Sequence, residues 1–263
     1  MSVWKVIEPK QHWPALEEAR DFLRQGRGQG IRVAVLDSGI EASNPALADA
    51  TLADDVAVIE QQGELRAIAG NGIDTYGHGT AVAGIIHKLA PEATLGSFRV
   101  LGPQLRSRTM IIREAARLAL ARGYHILNCS FGCGREDHVL FYKNWIDEAY
   151  LRNRHIVAAC NNQDFRRREW PGHFPTVITV NFARIDTPEI IHRKHGNLVE
   201  FEASGQDVEV AWSGGTRKLV TGSSFAAPHV TGLLARLMSG MPTLAPLVAK
   251  GLLQMLASNG VAA

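Results

Sequence analysis

Short apolar runs of strand length recur along the chain, each bounded by polar residues or glycine. They are rich in Val, Ile and Leu, residues that favour strands when they occur in such runs. An apolar run without polar alternation is typical of a strand buried on both faces of a parallel sheet. The pattern predicts strands over residues 31–36, 94–100, 125–129, 155–159 and 176–180.

Helical patterns separate these runs, with apolar residues three and four positions apart. In one of them, Ile112, Ala115 and Ala119 fall on one face, and Gly123 provides a stop. The pattern predicts helices over residues 81–89, 109–122, 137–153, 226–238 and 244–257.

This alternation predicts an α/β fold of three layers, with a mostly parallel central sheet and helices on both faces. In such sheets, functional sites form at the carboxyl ends of the strands. The polar residues that directly follow the predicted strands are therefore candidates for chemistry: Asp37, residues 128–130 and Asn161.

Composition narrows the class of protein. The 263 residues are 46% hydrophobic, enough for one sizeable core, and the net charge of +2 argues against a general nucleic-acid binder. No apolar run has the length of a membrane span, and the first residues lack the basic start and apolar stretch of a signal peptide. Three cysteines, an odd number without an export signal, indicate free thiols, so we expect a cytoplasmic protein.

Three segments carry residues suited to acyl transfer, which needs a hydroxyl, a base, a carboxylate that orients the base, and oxyanion donors. Asp37 ends a buried strand, His78 is flanked by glycines, and Ser224 stands at the start of a predicted buried helix. Each has an ordinary structural alternative: a turn-capping aspartate, a structural histidine and an N-cap serine. Their joint occurrence in the order Asp, His, Ser favours catalysis.

The segments DSGI, HGTAVAG and GSSFAAPHV, which contain these three residues, resemble the signature motifs of the subtilisin-like peptidases. Ser223 replaces the usual Thr and Phe225 the usual Met. The resemblance implies a subtilisin-like fold and a serine endopeptidase in which Ser224 attacks the scissile carbonyl, His78 is the general base and Asp37 orients it. It also implies that the side chain of Asn161 and the backbone N–H of Ser224 bind the oxyanion.

The same resemblance assigns substrate contacts. Residues 128–132, with Ser130, Phe131 and Gly132, resemble one wall of the primary pocket, and residues 158–160 resemble the other wall. Cys160 stands where the family usually has Gly, and Ala158 lies beside it. The segment with Leu105 and Arg106 resembles the part that pairs with substrate residues upstream of the cleaved bond.

Glu169 aligns with the base of the primary pocket, just before a segment that resembles the family's Tyr-Pro-Gly loop. A carboxylate there would favour Lys or Arg at the cleaved position, because an unpaired buried charge is costly. The alternative is that Arg166, Arg167 or Arg168 neutralises Glu169 within the protein.

The chain departs from the secreted members of the family. We expect residues 1–27 to be an N-terminal extension packed on the body and residues 28–263 to be the peptidase domain, with no room for a folding prosegment. The family's calcium-binding Asp would fall at Ala46, and a short loop follows the histidine helix. Calcium prefers six to eight oxygen ligands, so we expect no calcium there, no other metal and no cofactor.

Two other functions stay open at this stage: a catalytically silent peptide-binding module, and a metallohydrolase, which the histidine spacing disfavours. For the peptidase, the expected partners are a protein or peptide substrate and an inhibitor or regulatory protein, with no nucleic acid and no membrane. A cytoplasmic peptidase without a prosegment must be restrained, which favours limited processing of a specific protein or precursor peptide.

Overall fold

A ten-stranded sheet forms the centre of the molecule. The structure is a computed structural model, and it describes residues 16–194 and 198–259. The strands, in chain order, are β1 (Arg32–Asp37), β2 (Thr51–Gln61), β3 (Glu64–Ala69), β4 (Thr94–Arg99), β5 (Ile126–Cys129), β6 (His155–Ala159), β7 (Ile178–Ala183), β8 (His192–Arg193), β9 (Phe201–Ser204) and β12 (Ser258–Asn259). Their order across the sheet is β12-β8-β9-β7-β6-β5-β1-β4-β2-β3. The run from β9 to β2 is parallel throughout, as the unbroken apolar strands predicted.

Helices cover both faces of this sheet. The helices are α1 (Leu16–Gln25), α2 (His78–Leu89), α3 (Thr109–Ala121), α4 (Val139–Leu151), α5 (Ser223–Gly240) and α6 (Pro246–Leu256). One hydrophobic core lies under α1, α2, α5 and α6, and a second core lies under α3 and α4. The predicted three-layer α/β architecture is confirmed.

A separate antiparallel hairpin, β10 (Val208–Trp212) with β11 (Thr216–Val220), packs against α2. The sequence analysis missed this hairpin and also the pair β2–β3. Most of β3 and β11 is solvent-exposed, so their sequences lack the apolar runs by which the buried strands were recognised.

Two helices begin three residues earlier than the sequence predicted, and the difference affects the candidate site. Helix α2 begins at His78 rather than at residue 81, and α5 begins at Ser223 rather than at residue 226. Both His78 and Ser224 therefore lie in the first turn of a helix.

The described part of the N-terminal segment is helical and packs on the body. Ala19 of α1 is fully buried, and the Arg236 guanidinium of α5 donates to the Leu23 carbonyl at 3.2 Å. Residues 1–15, which include the start of the predicted extension and the segment examined for a signal peptide, lie outside the described residues. Among the described helices, none combines the length and the hydropathy that a bilayer crossing requires.

Candidate active site

The carboxyl ends of three neighbouring parallel strands bring the sequence-predicted polar residues to one edge of the sheet. Strand β1 ends at Asp37, β5 is followed by Ser130, and β6 is followed by Cys160 and Asn161. Strand β1 pairs with β5 and β5 with β6 in parallel register, so these residues lie side by side.

Asp37 and His78 form a buried pair at this edge. His78 Nδ1 lies 2.8 Å from Asp37 Oδ1, and the Asp37 side chain is fully buried. The same carboxylate oxygen accepts the backbone N–H of Ser38 at 2.7 Å. A carboxylate held in this way fixes the imidazole with its Nδ1 as donor and leaves Nε2 unprotonated and directed away from Asp37.

Two glycines allow helix α2 to begin at this point. Gly77 has φ of 106°, a left-handed conformation that costs glycine little. Gly79 lies so close to the end of β1 that a Cβ there would come within 2.0 Å of the Gly39 carbonyl oxygen. Gly77 is therefore required by its backbone conformation, and Gly79 by the close approach of α2 to the end of β1.

A second carboxylate, Asp74, organises the start of α2, and the sequence analysis missed it. Its Oδ1 accepts the backbone N–H groups of Tyr76 and Gly77 at 3.0 and 2.7 Å, and its Oδ2 accepts the N–H and hydroxyl of Thr80 at 2.8 and 2.7 Å. Ser38 Oγ donates to Asp74 Oδ1 at 2.7 Å. The signal in the sequence was an aspartate three residues before a glycine that starts a helix.

The pKa of His78 is raised above the ordinary histidine value of 6.5. Burial alone would lower this pKa, but the charge and the hydrogen bond of Asp37, with a further contribution from the charge of Asp74, outweigh the effect of burial. The imidazole is thus a stronger base than a free histidine.

Ser224 is the second residue of α5 and is half-buried. Its backbone N–H belongs to the first turn, where N–H groups have no partner within the helix and carry the positive end of the helix dipole. Ser130 Oγ donates to the Ser224 carbonyl at 2.9 Å, and Asn128 Nδ2 donates to Ser130 Oγ at 2.9 Å. The end of β5 thereby fixes the position of Ser224.

One cleft of about 460 Å³ gathers most of the candidate residues. Its lining includes His78, Leu105, Ser130, Phe131, Gly132, Cys160, Asn161, Glu169 and Ser224. Asp37 lies behind His78. Ala158 is fully buried in the second core, and Ala159 takes the place at the cleft wall. Arg106 is exposed and lines a neighbouring cleft of about 780 Å³.

No hydrogen bond joins His78 to Ser224 among those that the described residues form, although both side chains line the cleft. Contacts of this kind are often long in unliganded sites and tighten when substrate binds.

Asn161 makes a contact that the sequence analysis did not predict. Its amide Nδ2 donates to Glu169 Oε1 at 2.7 Å. Its carbonyl Oδ1 accepts the backbone N–H groups of Gln163 and Asp164 at 2.9 and 3.0 Å. The Asx turn that was the ordinary alternative for Asn161 is thus present, together with a direct hydrogen bond to Glu169, the residue predicted to form the base of the primary pocket.

The next residue, Asn162, ties this loop to α5. Asn162 Oδ1 accepts the Ser223 backbone N–H at 2.8 Å, and Ser223 Oγ lies 2.6 Å from the Cys160 carbonyl. Sequence reasoning gave Asn162 no role, since it is exposed and only its position beside Ser223 makes it useful.

Backbone pairing joins the segment that follows Gly132 to the loop of residues 170–175. Cys133 and Trp170 exchange backbone hydrogen bonds of 2.9 Å in both directions, and the Trp170–Pro171 peptide is cis.

A buried lysine lies beneath the segment of residues 170–177. The Lys250 ammonium donates to the carbonyls of Pro175 and Val177 at 2.7 and 2.8 Å and pairs with Glu200 at 2.5 Å. Lys250 thereby anchors this segment to the body of the protein.

The three cysteines, all within the described residues, are free thiols. Burial raises the pKa of the Cys160 thiol to about 12, so this thiol, which lines the cleft, is neutral and a poor nucleophile. Ala46 contributes no side-chain oxygen, and residues 16–194 and 198–259 contain no group of three or more His, Cys, Asp or Glu placed to hold a metal ion.

An aspartate-paired histidine that shares a cleft with a serine at a helix N-terminus is the constellation of serine hydrolases, and it defines the class of this protein. A model of the subtilase family matches residues 28–263. The chain therefore belongs to the subtilase family.

Known proteins agree with this assignment. The chain is 30% identical over 225 residues to the intracellular serine protease of Paenibacillus polymyxa, covering 80% of this chain and 67% of that protein. It is 28% identical to subtilisin BL of Lederbergia lenta, covering 82% and 79%, and 28% identical to alkaline protease 1 of Aspergillus clavatus, covering 89% and only 58%. The chain thus spans little more than half of the Aspergillus relative.

Solved structures show the same fold. The S41 psychrophilic protease superposes with a TM-score of 0.73 at 26% identity, and sphericase superposes with a TM-score of 0.72 at 25% identity. Each alignment covers 88% of this chain and 83% of the other.

Proposed function

We propose that this protein is a serine endopeptidase that cleaves peptide bonds through an acyl-enzyme on Ser224. His78 accepts the Ser224 hydroxyl proton as Oγ attacks the scissile carbonyl, and then gives that proton to the leaving amine. Asp37 holds the imidazole and stabilises its charged form. The Ser224 backbone N–H and the Asn161 amide bind the oxyanion.

The observation that carries this proposal is the arrangement of one cleft. The Asp37-paired His78 and the helix-terminal Ser224 line it together with the residues assigned to the primary pocket. The raised pKa of His78 supports its role as the base, and the neutral Cys160 leaves Ser224 as the nucleophile.

A fluorophosphonate probe tests the assignment of the nucleophile. We expect one equivalent to react with Ser224, and we expect Ser224→Ala to abolish both labelling and peptide hydrolysis. Cys160→Ser, a change in the same cleft, should keep the labelling. A protein that binds peptides but neither reacts with the probe nor cleaves them would instead be the silent binding module.

We further propose that Glu169 favours Lys or Arg at the cleaved position. Among the described residues no Arg or Lys forms an ion pair with Glu169, and Arg166, Arg167 and Arg168 are exposed. The carboxylate therefore has no internal cation to neutralise it, which supports the need for a basic substrate side chain. Equal cleavage of arginyl and leucyl reporter peptides would disprove this preference.

The biological role that we propose is limited processing of a specific protein or precursor peptide in the cytoplasm, restrained by an inhibitor or regulatory protein. The intracellular relative and the free thiols support the location. In the same proposal, residues 1–27 form an extension on the peptidase domain of residues 28–263, and the packing of Ala19 in α1 supports it. Cleavage-site profiling against a peptide library tests the narrow specificity.

A further inference from the structure

A hydrogen bond connects Asn161, the proposed oxyanion donor, with Glu169, the proposed base of the primary pocket. Different parts of the substrate would contact these two residues. Asn161 Nδ2 donates to Glu169 Oε1 at 2.7 Å, while the Asn161 carbonyl is fixed by two backbone N–H groups. Because its oxygen is held, the amide cannot turn freely. Its nitrogen therefore stays directed toward the Glu169 carboxylate.

Glu169 is confined from the other side as well. A Cβ at Gly132 would lie 2.4 Å from Glu169 Oε2, so the carboxylate sits directly against the opposite wall of the primary pocket. Glu169 is half-buried and, among the described residues, its only side-chain hydrogen bond is the one with Asn161.

We propose that Glu169 is a positioning residue that withholds the Asn161 amide from the oxyanion until a cationic substrate side chain pairs with Glu169. This inference rests on the proposed function, since it assigns the oxyanion role to Asn161 and the primary pocket to Glu169. It adds that an occupied pocket activates the oxyanion site.

The physical reason is the sign of the charges. An ionised carboxylate within hydrogen-bond distance of an oxyanion donor competes for that donor and repels the negative charge that develops on the substrate oxygen. A guanidinium or ammonium group in the pocket neutralises Glu169 and takes over as its hydrogen-bond partner. The Asn161 amide is then a full donor to the transition state.

Because of this coupling, a basic side chain at the cleaved position should increase the rate of acylation as well as the affinity for substrate. A carboxylate that only attracted the substrate would lower KM and leave kcat unchanged. A carboxylate that also restrains Asn161 makes kcat itself depend on the charge at the cleaved position.

Citrulline provides the matched substrate, because it has the shape of arginine without the charge. Single-turnover acylation should be measured for peptide esters with arginine or citrulline at the cleaved position, using the full chain, Glu169→Gln and Glu169→Ala. Glu136→Gln is the control, since it removes a carboxylate from the exposed loop that follows Gly132.

We expect the unmodified chain to acylate the arginyl ester roughly tenfold faster than the citrullyl ester, as a hydrogen bond to a charged group implies. Glu169→Gln should acylate the citrullyl ester roughly tenfold faster than the unmodified chain does, and Glu169→Ala at least as fast. A citrullyl rate that is unchanged or lower in both variants would overturn the coupling, even if the arginyl preference is real. Equal arginyl and citrullyl rates in the unmodified chain would instead refute the basic preference.

A second measurement detects the hydrogen bond between Asn161 and Glu169 without relying on peptide or ester cleavage. In the Ser224→Ala chain, the side-chain amide NMR signal of Asn161, assigned by its loss in Asn161→Asp, should move upfield when n-butylguanidinium binds and stay in place with n-butylurea. The signal should already be upfield in Glu169→Gln without any ligand. A signal that Glu169→Gln leaves unmoved would overturn the proposal whether or not the protein cleaves peptides.

Discussion

The two sides of the cleft differ in whether their side chains already have, before substrate binds, the hydrogen bonds that the proposed mechanism requires. On one side, Asp37 and His78 form a buried pair, and Asp74 accepts the backbone N–H groups of Gly77 and Thr80 beside it. On the other, Asn161 and Glu169 are half-buried and hydrogen-bonded to each other. We call these two residues, with the loop of residues 170–175, the specificity side.

This difference shows where the free energy of substrate binding can act. His78, the proposed base, needs no rearrangement, because the fold sets the orientation of its imidazole and raises its pKa. On the specificity side, Asn161 is hydrogen-bonded to the Glu169 carboxylate, and in the proposed mechanism the substrate must displace this carboxylate before Asn161 can donate to the oxyanion. In a peptidase arranged in this way, the histidine base is in place before substrate binds. Stabilisation of the oxyanion depends on the substrate.

The largest effect on catalysis should come from Asp37→Asn. The amide keeps the shape of the side chain but stabilises the wrong tautomer of His78, and a change of this kind lowers kcat by about 10⁴ in a serine protease. Steady-state hydrolysis of an arginyl peptide measures the loss, and the exposed Asp147→Asn should have no such effect. A loss below about tenfold would remove Asp37 from the mechanism.

Lys250→Met, in the helix beneath the specificity side, should be the change that most lowers the stability of the protein. It leaves Glu200 and the two loop carbonyls without their cation, and breaking a buried ion pair costs about 3–5 kcal/mol. Urea denaturation measures the free energy of unfolding. Lys143→Met breaks an exposed pair with Asp147 and should cost at most about 1 kcal/mol; equal losses in the two variants would contradict the anchoring role of Lys250.

Asn161→Ala should reduce kcat for an arginyl peptide by about 10²–10³, the loss known for the oxyanion asparagine of subtilisin itself. For a citrullyl peptide the loss should be smaller, because Glu169 already withholds the amide. Gln163→Ala, which alters an exposed side chain of the same loop, serves as the control. Identical losses for both peptides would argue that the two sides of the cleft act independently.

Asp74→Asn should have the smallest effect on catalysis, a shift in the pH profile of kcat/KM. Because the new NH2 group must face donors whose hydrogen bonds Asp74 accepts, the profile is compared only if the circular dichroism of the variant matches that of the unmodified chain. The charge of Asp74 helps to raise the pKa of His78, and catalysis needs the neutral imidazole, so activity is present above this pKa and is lost as the pH falls through it. Removing the charge lowers the pKa and extends activity to lower pH. An acidic limb that stays in place, as it should for the distant and exposed Asp49→Asn, would exclude Asp74 from this role.

The sequence predicted the buried half of the fold well and the exposed half poorly. Strand β6, for example, is buried throughout and apolar after His155, and it was recognised to the residue, whereas the largely exposed strand β11 of the β10–β11 hairpin offered no such run. The starts of α2 and α5 were misplaced because they are stabilised by hydrogen bonds to residues outside each helix. Asp74 accepts the N–H of Thr80 and Asn162 accepts the N–H of Ser223, and a local pattern does not contain these contacts.

The site divides in the same way. Asp37, His78 and Ser224 could be found because each occurs in a distinctive segment and the three occur in a fixed order. The roles of Asp74 and Asn162 depend on hydrogen bonds to backbone N–H groups that only the folded chain brings near. The contact of Asn161 with Glu169 joins two loop residues whose proximity no periodicity predicts.

The central claim is that Ser224 forms an acyl-enzyme in this cleft. Rapid mixing with an arginyl ester, followed by intact-mass and peptide-mapping analysis at acidic pH, tests it most directly. We expect a burst of one equivalent of leaving group, with the acyl group on Ser224 in the unmodified chain and neither burst nor adduct in Ser224→Ala. Turnover without a burst or an adduct, or an acyl group on Cys160, would contradict the mechanism.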